Sequence, residues 1–201
     1  DKVLDYESQA AKADALIEEA DWLFCLDFNI LSRTKRMEEK LKQAKGDRIL
    51  IDHHQEPQVE FFAYGISDVN KSSTAEMVFD FIVDSGNIDK IDAVIGECLY
   101  AGVMTDTGSF RFPSTKASVH KMVYELKSRG LEHSHVHEAL FDNFLENRFR
   151  FIGHVLSNRM EVFYEYNTVL MSITQADLIK YNVKTGDTEG LVNYGLSIQG
   201  I

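Results

Sequence analysis

Short apolar runs alternate with amphipathic stretches through most of the chain, and that alternation predicts its elements. Residues 8–20 (SQAAKADALIEEA) carry apolar side chains at helical intervals and predict an amphipathic helix. Trp22-Leu-Phe-Cys-Leu-Asp27 follows, a short apolar run closed by a carboxylate. A polar helix is expected over 34–45 with Gly46 as its stop, and Arg48-Ile-Leu-Ile-Asp52 is a second apolar run ending in an acid. Such runs separated by helices indicate buried parallel strands, because parallel neighbours need a crossover connection and are covered on both faces. A third strand is expected near 61–66, with helices over 73–85, 89–104 and 115–129, the last closed by Gly130.

Beyond residue 130 the pattern changes. Residues 134–157 read as one long or broken helix with charged ends, and 161–173 as a hairpin turning at Tyr166 and Asn167. A short helix is expected over 176–181, and 195–201 reads as a strand running off the end of the chain. The expected fold class is α/β: a parallel-sheet domain with flanking helices over 1–132, a linker helix over 133–157, and the beginning of a smaller α/β second domain over 158–201.

Composition narrows the partners. A hydrophobic fraction of 44% excludes wholesale disorder, and no apolar run approaches the ~18–20 residues that span a bilayer, so no membrane partner is expected. Lys and Arg number 21 against 32 Asp and Glu, a net charge of −11. Such a chain lacks the broad basic face that gathers long nucleic acid by counterion release. Clustered acids can instead hold divalent cations, which reverse the local field. Cys25 and Cys98 each sit inside an apolar run and make no CxxC, so they read as buried free thiols of a reducing compartment. With no signal-peptide pattern, a cytoplasmic protein is expected. The start at Asp1 rather than Met reads as processing or as a piece of a longer protein.

In open parallel sheets, ligands bind beyond the carboxyl ends of the strands. The most unusual residues fall there. Asp27 closes the first apolar run, Asp52-His53-His54 the second, and Asp106 lies in Gly102-Val-Met-Thr-Asp106-Thr-Gly-Ser-Phe-Arg-Phe112. Carboxylates and imidazoles together are the ligand set of Mn, Mg or Zn-like ions. Adjacent histidines on an extended segment would point to opposite sides, one ligating and the other meeting substrate. Each residue also has an ordinary reading: Asp27 as a loop residue, a His-His pair as surface, Asp106 as a helix cap. Their joint placement at strand ends favours chemistry.

Arg48-Ile-Leu-Ile-Asp52-His53-His54 resembles the name-giving motif of the DHH phosphoesterases. The 102–112 segment is similar to that family's later Asp-Thr-Gly motif, and Cys25-Leu-Asp27-Phe-Asn29 to its Asp-bearing second motif. Residues 188–201 resemble the start of the DHH-associated domain in the branch with oligoribonucleases (nanoRNases) and pAp phosphatases. The resemblance implies a site for two Mn2+ ions, with Mg2+ or Co2+ as alternatives. Asp27 would bridge the metals, and His53 and Asp106 would each ligate one. His54 would act on the scissile phosphate, and Asp52 would hold an imidazole in orientation. It also implies a hydrolase acting on short RNA or a small nucleotide such as pAp; a homodimer is compatible with it.

Intact members open with a strand and an Asp-rich motif containing a His. Asp1, Asp5, Asp14 and Asp21 lie at the wrong spacing for it, and no His precedes His53. The chain is therefore expected to be the middle of a longer protein, binding metal weakly and turning over little by itself. Two alternatives stand beside the phosphoesterase: exopolyphosphatase or pyrophosphatase action at the same site type, and a non-catalytic nucleotide-binding domain. Arg111, five residues past Asp106, is a phosphate candidate. His133, His135 and His137 are read as solvent-facing or capping rather than as a metal tract. Arg33, Lys35 and Arg36 read as a solvated helix face, and the aromatics of 144–151 as packing.

Overall fold

The alternation along β1 (Trp22–Leu26) determines how the first part of the molecule is layered. Leu23 packs with Ile17 of α1 (Tyr6–Glu19) and Leu41 of α2 (Glu38–Gln43). Its neighbour Phe24 meets Phe81 of α3 (Thr74–Asp84) edge to face, with ring centroids 5.9 Å apart. Successive side chains of a strand point to opposite faces, so α1 and α2 cover one side of the sheet and α3 the other. The computed structural model describes residues 3–201 and divides into two compact units, the first ending at Val136 and the second running from His137 to Ile201. Asp1 lies outside the described residues.

In the first unit β1, β2 (Asp47–Asp52) and β3 (Tyr64–Ser67) form a parallel sheet in that order, as an α/β protein requires. Leu26 pairs with Ile51, and Asp52 with Ser67. The helix expected over 34–45 begins as a 3-10 turn, Leu31–Met37, and becomes α-helical only at Glu38; Lys35 with φ +53° interrupts it. Arg48 fastens this connection to the sheet. Its guanidinium donates to the carbonyls of Leu41 and Ala44 at the end of α2 and to that of Phe61, at 3.0, 3.2 and 2.6 Å. The Leu41 carbonyl also accepts from the Ala44 amide at 3.4 Å, so the arginine reinforces the cap at this helix end.

Helices α3, α4 (Ala93–Asp106) and α5 (Ala117–Ser128) form the larger core, with Phe79, Tyr100, Val103, Met104, Val119 and Met122 buried among them. Gly102 sets the approach of α3 to α4, since a Cβ there would lie 2.7 Å from that of Ala75. Cys25 is buried as expected, and burial pushes its thiol up to about 11 against the charge of Arg48. Cys98, expected to be buried, is exposed. Helical spacing puts Leu99, Tyr100 and Val103 on the core side of α4 and turns Cys98 outward. Helix α6 spans His133–Phe141, and the boundary in sequence between the two units falls within it.

In the second unit, α7 (Glu146–Asn158) lends Phe151 and Val155 to a core shared with Leu191, so the segment expected as a linker contributes packing of its own. The hairpin pairs β4 (Met160–Phe163) with β5 (Thr168–Met171), and Asn167 takes the left-handed turn position with φ +47°. Helix α8 (Gln175–Lys180) follows. The strand expected over 195–201 is not formed. That stretch instead holds the end of α9 (Leu191–Leu196), because Leu191 and Gly195, one helical turn apart, are both buried. No helix of the described residues is long and apolar enough to cross a membrane.

Asp177 ties the second unit together. Its carboxylate accepts from the Thr174 backbone and hydroxyl at 3.0 and 2.7 Å and from Arg159 Nη2 at 3.0 Å, and it lies 2.8 Å from His154 Nε2. The bonds from Arg159 and Thr174 hold its carboxyl well below the ordinary carboxylate range. A depressed native pKa gives stability that is complete above the unfolded value, near 3.8, and lost as pH falls below it. Asp177→Asn should therefore lower the thermal midpoint at pH 7, with the gap to the parent closing below about pH 3. Gly102→Val should destabilise the first unit by about 2–3 kcal/mol through overpacking, read from urea unfolding.

Candidate functional site

The register of β1 with β2 brings two strand ends to one level. Asp27 leaves β1 with φ +64°, a left-handed conformation that Asp tolerates better than most residues, and its amide donates to the Ile51 carbonyl at 3.3 Å. Asp52, at the end of β2, is fully buried. Its carboxylate accepts from the His54 amide at 2.6 Å and faces His54 Nδ1 at 2.9 Å. The imidazole that Asp52 holds is therefore that of His54. The two histidines do not project to opposite sides: their ring centroids are 4.7 Å apart. The strand has ended at Asp52, and the bonds from that residue draw His54 back beside His53.

Asp106, the last residue of α4, completes the cluster. His53 Nε2 lies 3.7 Å from Asp27 Oδ1 and 3.7 Å from Asp106 Oδ2. Both distances exceed a hydrogen bond, so the three groups converge without bonding one another. Ligand atoms of Asp27, His53 and His54 lie within 4.8 Å of one another. Burial pushes the Asp106 carboxyl above its ordinary value and the charge of Asp27 adds to this, against the pull of His53 and His54. Two acids and an imidazole facing one point carry unrelieved negative charge, and their mixed oxygen and nitrogen donors fit a divalent first-row metal ion.

Groups that the sequence did not single out hold this cluster. Thr74, the first residue of α3, donates its hydroxyl to Asp27 Oδ1 at 2.9 Å. Ser73 caps the helix by accepting from the Glu76 amide at 3.0 Å. Buried Glu76 accepts from the Ser72 amide and hydroxyl at 2.9 and 2.8 Å and from the Ser118 hydroxyl at 2.7 Å. Burial raises that carboxyl, but the bonds from Ser118 and Ser72 outweigh it and leave it below the ordinary range. Asn29 is buried and donates to the Gln55 carbonyl at 2.8 Å, fixing the loop that carries both histidines. The spacing Ser73-x-x-Glu76, in the turn that follows the third strand, is the signal that marks this helix start.

The remaining candidates fall elsewhere. Arg111 lies on the loop after Asp106, and its Nε donates to the Gly108 carbonyl at 2.7 Å. Gly108 has φ +57°, and a Cβ on it would meet the Phe112 ring at 2.5 Å, so the ring rests on the glycine. Arg36 pairs with Glu7 at 2.6 Å on an exposed surface. His133, His135 and His137 begin α6, with His133 Nδ1 3.1 Å from Lys127 Nζ. Phe144 carries the Arg148 guanidinium 3.5 Å above its ring.

Fold and site together define an α/β protein with an acid and imidazole cluster at the carboxyl ends of a parallel sheet. The family described as DHH family, N-terminal domain, matches residues 2–103, about half of the chain, and the chain belongs to that family. Similar proteins include an uncharacterized protein of Mycoplasma genitalium, 33% identical over 57% of this chain and 34% of its own length. The bifunctional oligoribonuclease and PAP phosphatase NrnA of Thermus thermophilus is 29% identical over 75% of this chain and 44% of its own. The crystal structure of an exopolyphosphatase-related protein from Bacteroides fragilis superposes with a TM-score of 0.94 at 38% identity, covering 99% of this chain and 58% of that one. The chain thus spans less than half the length of these two curated relatives.

A raised native pKa makes Asp106 a cost to the metal-free fold that is absent below the unfolded value, near 3.8, and complete above the folded one. Asp106→Asn should accordingly raise the thermal midpoint at pH 7 in the presence of chelator and leave it unchanged near pH 3.

Proposed function

We propose that this chain carries the metal-binding part of a cytoplasmic, divalent-metal-dependent phosphoesterase acting on short oligoribonucleotides and on 3',5'-bisphosphate nucleotides such as pAp. The observation that carries the reading is the convergence of Asp27 and Asp106 on His53 Nε2, each at 3.7 Å. Asp27, His53 and Asp106 would hold Mn2+, with Asp27 shared between two ions and Mg2+ or Co2+ as substitutes. Divalent cations bound there would activate water and draw charge from the phosphate.

The protein groups do the rest. His54 has its Nδ1 committed to Asp52 at 2.9 Å, which leaves Nε2 to meet the phosphate and supply a proton to the departing oxygen. Asp52 holds the ring in that orientation. Arg111, on the loop after Asp106, is the proposed phosphate contact. The net charge of −11 favours a small substrate held by cations over tracking along a polymer. The substrate class is supported by similarity to the oligoribonuclease and PAP phosphatase relatives of Thermus thermophilus and Bacillus subtilis, the latter 24% identical over 83% of this chain. A second reading, exopolyphosphatase action, is favoured by the likeness to the exopolyphosphatase-related protein of Bacteroides fragilis.

Calorimetric titration with Mn2+ and phosphate release from pAp, RNA dinucleotides and polyphosphate test the proposal. His53→Ala should weaken Mn2+ binding by roughly tenfold or more. His54→Ala should keep Mn2+ binding and slow hydrolysis by about 10²–10⁴-fold. Release from polyphosphate alone supports the second reading. Mn2+ affinity unchanged in His53→Ala, with no release from any of the three substrates, overturns both.

A further inference from the structure

We propose that Thr74 is a positioning residue for Asp27, its hydroxyl selecting which carboxylate oxygen faces the cluster; this rests on the metal-dependent reading above. The side chain of Asp27 is 58% exposed, so burial does not set its rotamer. The Thr74 hydroxyl donates to Asp27 Oδ1 at 2.9 Å, and this same oxygen lies 3.7 Å from His53 Nε2. A carboxylate offers about four lone-pair sites on its two oxygens. With one occupied by a fixed hydroxyl, the plane of the group is set, and Oδ2 and the remaining site of Oδ1 stay available for cations.

The donor is itself held in place. Thr74 is buried at 6% exposure, and as a β-branched residue it has few χ1 rotamers. Its hydroxyl is not needed as a helix cap, because Ser73 fills that role with its own side chain. The turn in which Thr74 sits is clamped by Glu76, which binds Ser72 before the helix and Ser118 on α5. A clamped helix start, rather than the exposed loop at residue 27, therefore dictates the carboxylate's orientation. The two residues are 47 positions apart in the chain, so the bond serves no local turn.

Thr74→Val keeps the shape and removes the hydroxyl, while Thr74→Ser keeps the hydroxyl. Two readouts on the 201-residue chain separate this proposal from the metal reading. In metal-free protein, the carboxyl carbon resonance of Asp27, assigned by its loss in Asp27→Asn, should move in Thr74→Val and stay in place in Thr74→Ser. In Mn2+ titrations, Thr74→Val should bind about 10–100-fold more weakly than the parent, with Thr74→Ser restoring affinity to within roughly threefold. An unmoved resonance in Thr74→Val overturns the proposal, as does Mn2+ affinity in that variant equal to the parent's, or in Thr74→Ser as weak as in Thr74→Val. A parent chain that binds no Mn2+ overturns the metal reading, and the positioning of Asp27 is then decided by the resonance alone.

Discussion

Parallel pairing of β1 with β2 sets Leu26 opposite Ile51, so the two strands release Asp27 and the Asp52-His53-His54 run at the same level. The site depends on that register. A slip of one residue would reverse every side chain of a strand between the two faces of the sheet. It would also remove the bond from the Asp27 amide to the Ile51 carbonyl, which anchors the left-handed residue on which the carboxylate stands. The register is enforced from both sides, by Leu23 packed under α1 and α2 and by Phe24 against Phe81 of α3. Core packing and site geometry are thus one constraint.

Around that register the groups at the site divide into two kinds. Asp27, His53 and Asp106 converge without hydrogen-bonding one another, as ligands of a shared cation would. Asp52, Glu76 and Asn29 are buried and engaged, and they hold neighbours in place. The loop after Asp106 is made compact by the Phe112 ring on Gly108 and by the Arg111 bond to the same residue's carbonyl. Membership of the DHH family agrees with this arrangement, since the matched span, residues 2–103, includes Asp27 and the Asp-His-His run.

Much of this was legible in the sequence. The unbroken apolar runs made β1 and β2 readable together with the acids that close them, but the burial expected on both faces is not met: Trp22, Phe24 and Leu26 of β1 are exposed, and so is all of β3. Helices α3 and α5 were readable because their apolar spacing is helical over three turns. Features that depend on distant partners were not. The bond from Thr74 to Asp27 joins residues far apart in the chain, and no periodicity announces it. The side-by-side histidines depend on where β2 stops, and element ends are the least readable part of any pattern. Cys98 lies in an apolar run that is helical, so only the face it occupies decides its exposure. The strand expected over 195–201 is only the end of a six-residue helix followed by turns, too short a stretch for either period to prevail.

Arg48 has a further consequence, one of electrostatic inventory. Its guanidinium serves three backbone carbonyls beneath the sheet and is not offered to solvent anions. Other cations are similarly engaged: Lys71 with Asp80, Arg36 with Glu7, Arg159 with Asp177. The 21 basic residues counted in the sequence therefore overstate the positive potential that an approaching phosphate would feel. Attraction for a polyanion at the strand ends would have to be imported with bound cations, so the ionic composition of the medium, more than the protein's own charge, would govern how fast such a ligand arrives.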